Sequence, residues 1–272
     1  MKLCMIQISE LPEEFRDAAL DILKLSFDKV LRPDTEVVLK GLKGGLTGDN
    51  YLDFDNPYFS LLNKRAIVEA VIEAEKEGFD AAWVNCFGDP GVAEARHVVS
   101  MPVFGAAEST MLFACQLGRK FAIVTANMPN QIAQVEEQVR LHGLEDRLIT
   151  NGVRLDKEPF PEAFPKYMQD PKVAADSIAK VARECVADGA DVVIIGCCGT
   201  GPMCSMAGFN KITVSGQDVP VLDPVMVVAK TTEMAVDIKK GVGLPIPSRV
   251  RGRAVPSKED VARVRSIFRL PT

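Results

Sequence analysis

The sequence predicts an α/β protein: two pseudo-symmetric parallel-sheet α/β domains with the active site in the interdomain cleft. Three observations lead there. Short runs rich in Val, Ile and Ala alternate with longer amphipathic stretches, the pattern of parallel strands joined by crossover helices. "EGFDAAWVNCFG", residues 77–88, aligns without a gap on "DGADVVIIGCCG", residues 188–199, pairing Gly78 with Gly189, Asp80 with Asp191, Cys86 with Cys197 and Gly88 with Gly199. Two further pairs share an offset of 118 residues: "KLCMIQI" at Lys2 with "KFAIVTA" at Lys120, and "PVFG" at Pro102 with "PVLD" at Pro220. Three matches in the same order read as a duplication. The predicted domains are residues 1–105 plus 223–272, and residues 106–222.

Strands are predicted at 2–9, 35–42, 81–86 and 102–105, and again at 120–126, 148–155, 191–197 and 220–223, where the apolar runs are short and rich in Val, Ile and Ala. Helices are predicted at 12–30, 59–78, 91–99, 107–118, 130–142, 172–188 and 225–240. There, apolar residues recur at helical spacing, and several stretches carry a Pro or an acid near the start. "KGGLTGDNYLDFDNP", residues 43–57, is a long Gly, Asn and Asp-rich connection, either a lid or binding edge or a plain surface loop. "GLPIPSRVRGRAVPSKED" opens an Arg-rich tail read as solvated or as a subunit contact, and "KEDVARVRSIF" adds a short helix.

The 272 residues, 47% hydrophobic and 25% charged, suffice for a large buried core. A formal net charge of -5 argues against nucleic acid or an anionic membrane as partner, because both require a basic face. A small-molecule substrate is expected instead. No run reaches membrane-spanning length, and the start lacks the long apolar region of a secretory signal. With seven cysteines, an odd number, two of them adjacent, the thiols read as reduced and the protein as cytoplasmic.

Cys86 and Cys197 each end a predicted strand just before a turn into helix. Ligands of open parallel sheets bind at that carboxyl edge. Backbone N–H groups and the positive end of a following helix are expected to lower the pKa of such a thiol. Two thiols flanking one carbon suit proton abstraction on one face and proton delivery on the other, which inverts a stereocentre without metal or organic cofactor. Backbone amides around the second cysteine and in "FGDPG", with Thr200, are candidate donors to the developing enolate. Cys4, Cys115 and Cys185 sit inside strand or helix patterns and read as packing, while Cys204 stays open. Zinc fits the cysteine spacing poorly, neither His97 nor His142 sits at a strand end, and no nucleotide-binding fingerprint is present, so neither metal nor cofactor is expected.

"VNCFGDPGVAEAR", "PVFGAAEST", "AIVT", "VVIIGCCG" and "VPVLDPVMVVAK" resemble, in this order, the signature segments of the aspartate/glutamate/hydantoin racemase superfamily across about residues 80 to 230. "CFGDPG" is most similar to the hydantoin racemase branch. The resemblance implies catalytic Cys86 and Cys197 facing each other across the interdomain cleft. It also implies substrate contacts at Gln7, Ser9, Phe87, Gly88, Glu108, Thr125, Cys198 and Gly199. Asp89, Glu108 and Asp223 are alternatively helix caps or loop braces. The chain departs from the family pattern where its first strand ends "IQISELPEE" rather than Asn-Pro-Asn-Thr, and in its extended 43–57 loop and tail.

The expected activity is a cofactor-independent racemase or epimerase acting beside a carbonyl, on hydantoins or amino-acid derivatives. Alternatives are a maleate-type cis-trans isomerase or arylmalonate-type decarboxylase of the same superfamily, or a non-catalytic binding protein whose thiols sense redox state. Duplicated domains and an extended tail point to a homo-oligomer.

Overall fold

A computed structural model describes residues 1–10, 13–250 and 254–270, with backbone alone for 13–19. The predicted helix start at residue 12 and part of the Arg-rich tail, 251–253, lie outside the described residues. The first part runs β1 (Lys2–Glu10), α1 (Glu13–Phe27), β2 (Glu36–Leu42), α2 (Leu52–Asp55), α3 (Pro57–Lys76), β3 (Ala81–Val84), α4 (Val92–Ala95) and β4 (Val103–Gly105). The chain continues with α5 (Ala106–Leu117), β5 (Phe121–Asn127), α6 (Gln131–Leu141), β6 (Leu148–Pro159), α7 (Phe160–Gln169), α8 (Pro171–Ala187), β7 (Val192–Gly196) and α9 (Thr200–Met206). It closes with β8 (Lys211–Val214), β9 (Gln217–Leu222), α10 (Pro224–Val242) and α11 (Lys258–Ile267).

Two sheets result, ordered β2-β1-β3-β4 and β6-β5-β7-β9-β8. Replacing β1, β2, β3 and β4 by β5, β6, β7 and β9 turns one order into the other. The register repeats as well. Met5 pairs with Trp83 and Trp83 with Phe104, while Ile123 pairs with Ile194 and Ile194 with Leu222. These are the residues that the sequence repeat sets in correspondence. The same holds at the opposite sheet edge, where the Asp80 carboxylate accepts from the Lys2 N–H at 2.8 Å and the Asp191 carboxylate accepts from the Lys120 N–H at 3.2 Å. The matching Gly78 and Gly189, at φ 82° and 104°, make the turn before each of these strands.

Period-2 alternation sorts each strand between two apolar layers. Leu3, Met5, Ala81 and Trp83 from one sheet and Phe121, Ile123, Val192 and Ile194 from the other join one core, shared with Met111 of α5 and Val225 and Val228 of α10. Their strand neighbours face outward, Cys4, Ile6, Ala82 and Val84 onto α3, and Ala122, Val124, Val193 and Ile195 onto α8. Trp83 is fully buried, edge-on to Phe27 at 6.1 Å, and each large apolar side chain so buried contributes about 1.5–3 kcal/mol. Cys4 and Cys185 are fully buried packing residues, and Cys115 packs against the shared core.

An Asx-Pro pair starts three helices. Asn56, Asp170 and Asp223 each accept a backbone N–H of the first turn, and Pro57, Pro171 and Pro224 preset φ where the helix has no donor to lose. Other elements differ from expectation. The predicted helix at 91–99 is only Val92–Ala95, and α2 and α7 were unanticipated. The predicted strand at 220–223 is the second arm of an antiparallel hairpin, β8–β9, turned at Ser215 and Gly216 with φ 51° and 78°. The tail packs onto the protein where it is described: the Arg249 guanidinium donates to the carbonyls of Arg96 and Val99, and Arg265 pairs with Glu69 at 2.7 Å. Among the described residues no helix is long and apolar enough to cross a membrane.

Candidate active site

The carboxyl ends of β1, β3, β5 and β7 converge on a cavity of about 350 Å³. Gln7 and Ser9 reach it from β1, Cys86, Phe87 and Gly88 from the turn after β3, and Cys197, Cys198 and Gly199 from the turn after β7. The two thiols thus come to one space from equivalent strand ends of different sheets. Glu108 and Thr125 are not on its wall. Glu108 is engaged by Arg96 at 2.5 Å, and Thr125, 1% exposed, donates its hydroxyl to the Gly196 carbonyl at 2.8 Å. Thr125 ties β5 to β7 just below Cys197, and Glu108 sits in the first turn of α5.

Asp89 is a brace, the alternative role weighed for it. Its backbone takes the left-handed conformation at φ 46°, and its carboxylate accepts the Ala107 and Glu108 N–H groups at 2.9 and 2.8 Å, capping α5. Burial raises its pKa to about 7 against those two donors. Asp223 caps α10 and also accepts from Ser26 and, at 2.8 Å, from Ser205; burial raises its pKa.

The expected lowering of the Cys86 pKa does not occur. Burial pushes the thiol up to about 12, opposed by the Gly88 N–H and reinforced by Asp89 and Cys197. The helix that follows, α4, has four residues, too few to build an opposing dipole. Burial also holds the Cys198 thiol well above its ordinary value. Burial thus favours the thiol over the thiolate at Cys86. Among the described residues no cluster of three or more His, Cys, Asp or Glu side chains is placed to hold a metal ion.

The rest of the wall was invisible to strand-end reasoning. Tyr51 and Phe54 come from the 43–57 connection, Phe160, Phe164 and Met168 from α7, Gln131 and Gln134 from α6, and Asn85 from the position before Cys86. The i, i+4 spacing of Phe160 and Phe164 was the available signal for α7. Asn85, 6% exposed, donates to Gln7 Oε1 at 3.1 Å and leaves its own Oδ1 without a partner. No described residue lining the cavity carries a charged side chain.

Residues 55–232 match the model of the family Asp/Glu/Hydantoin racemase. The chain belongs to that family. The hydantoin racemase of Pseudomonas sp. (strain NS671) is 29% identical over 210 residues, 77% of each chain. Among solved racemase structures, the allantoin racemase from Klebsiella pneumoniae superposes with a TM-score of 0.72 at 20% identity, over 95% of this chain and 94% of that one. The allantoin racemase from Pseudomonas fluorescens gives 0.72 at 22% identity, over 94% and 97%. These likenesses establish the racemase fold across nearly the whole chain, and the family match takes in both turns that carry the cavity thiols.

Proposed function

We propose that this racemase inverts the stereocentre of a neutral cyclic ureide, a hydantoin, by proton transfer between Cys86 and Cys197. One observation carries the reading: equivalent strand-end thiols from the two sheets line a single cavity. The thiolate of one cysteine takes the proton from the carbon beside the carbonyl, so that a C–H bond breaks and an S–H bond forms. The other thiol then gives its proton to the opposite face of the enolate and becomes the thiolate. Burial favours the thiol form of Cys86, which makes it the proton donor in one direction of the reaction; one turnover exchanges the roles. Cofactor chemistry has no part in this balance.

Among the described residues the wall carries no charged side chain, which favours a hydantoin over free aspartate or glutamate. A buried carboxylate or ammonium needs a partner of opposite sign, and the described lining residues supply none. A hydantoin presents amide N–H and carbonyl groups instead, which need hydrogen-bond partners and no counter-charge. The test is deuterium uptake at the stereocentre of 5-substituted hydantoins in heavy water. Uptake with racemisation by the wild type, lost in both Cys86→Ala and Cys197→Ala, supports the reading. Racemisation that survives either replacement rejects it.

A further inference from the structure

The cavity has a second side that proton transfer does not use. Tyr51 meets Phe160 edge-on, with ring centroids 5.4 Å apart and planes at 78°, and meets Phe164 likewise at 5.5 Å and 80°, while Phe160 and Phe164 stack at 4.9 Å. All three rings line the cavity. The cluster also lies against the reacting thiol: Phe164 and Cys197 pack in one apolar group, and a side chain at Gly199 would meet Phe164 Cε2 at 2.8 Å and Cys197 Sγ at 3.7 Å. A substituent on a carbon held beside Cys197 therefore extends onto rings, with no described charged group near its path.

Tyr51 comes to this place from the far side of the cleft. It belongs to the connection after β2, whereas Phe160 and Phe164 belong to α7, beside the second sheet. Asp55, four residues on and 2% exposed, fastens that connection to the start of α6: its carboxylate accepts the Asn130 N–H at 2.8 Å and the Gln131 side-chain amide at 3.1 Å. Its carbonyl accepts the Gln134 amide at 2.8 Å. These bonds anchor the segment that carries the third ring.

We propose that Tyr51, Phe160 and Phe164 form a specificity subsite for a flat apolar group, an aryl or arylmethyl substituent on the stereocentre of the ureide. The proposal rests on the racemase reading above and adds the side group. Faces and edges of three rings offer an aryl group stacked and edge-to-face partners. A polar ureido substituent, as allantoin carries, would lose its water there without gaining hydrogen-bond partners from the rings.

The experiment measures kcat/KM for racemisation of 5-benzylhydantoin, 5-methylhydantoin and allantoin by the wild type, Tyr51→Ala and Tyr51→Phe. The wild type is expected to prefer the benzyl compound over each of the others by at least about tenfold. Tyr51→Ala is expected to cut the benzyl-to-methyl ratio about tenfold, chiefly through KM, and Tyr51→Phe, which keeps the ring, to restore it. A wild type without benzyl preference, or a ratio unmoved by Tyr51→Ala, overturns the subsite and leaves the racemase reading standing. A wild type that racemises none of the three hydantoins overturns both.

Discussion

The carboxylate of Asp89 occupies the space in which any side chain at position 105 would lie. Gly105 is the last residue of β4 and Asp89 sits three residues after Cys86, so the fit ties the Cys86 turn to the entry of α5. Gly105→Ala is expected to displace Asp89, cost about 1–3 kcal/mol as overpacking of a filled site, and lower kcat more than KM. Chemical denaturation alongside steady-state kinetics checks both parts.

Asp89 also sets a pH dependence. Burial raises its folded pKa to about 7, above the value of about 4 in an unfolded chain. The folded state then binds the extra proton between those values. Its contribution is complete below about pH 4 and is lost as pH rises through about 7, by up to about 1.4 kcal/mol per pH unit. Asp89→Asn should flatten the fall in Tm across this window; an identical slope in thermal melts of both proteins would count against the assignment.

The raised Cys86 pKa predicts the shape of the pH–rate profile. With its pKa pushed up to about 12, Cys86 enters the reaction as a thiol across the usable pH range. In the direction in which Cys86 donates its proton, the rate should show no falling limb below about pH 10. A descending limb near neutrality would contradict the role given to Cys86.

Replacing either reacting thiol is expected to lower kcat by about 10²–10⁴-fold, the usual span for loss of a positioned acid or base. Cys4→Ala offers the contrast, because Cys4 is fully buried in the outer core of the first sheet. Its cost should appear in the melting temperature and leave the isotope exchange intact.

Asp55→Ala should loosen the latch over the cleft. Removing a buried acceptor leaves Asn130 and Gln131 donors unpaired, and each such loss costs about 1–3 kcal/mol. Hydrogen exchange is expected to accelerate across residues 43–57 and to stay unchanged in β5 and β7.

Much of this architecture is legible in the chain. Strand alternation and the repeat contain the two sheets, their common order and the correspondence of Met5–Trp83 with Ile123–Ile194, because a duplicated unit folds under the same local rules twice. Cys86 and Cys197 are legible for the same reason, since a strand-end position before a glycine turn is a local property. The packing role of Cys4 and the bracing role of Asp89 also follow from local context.

Other features depend on which segments meet in space. Sequence could not show that Tyr51 crosses the cleft to Phe164, because partners more than 100 residues apart leave no periodic trace. Nor could it give the state of Cys86. Position at a strand end predicts a lowered pKa, but the turn closes into a four-residue helix and the folded protein buries the thiol. Desolvation, a property of everything packed around a group, outweighs the local N–H. The sequence by itself determined the strands, the duplication and the thiols they deliver; only the tertiary structure decided the burial that raises the Cys86 pKa and the walls around both thiols, because burial and contact are set by the whole chain at once.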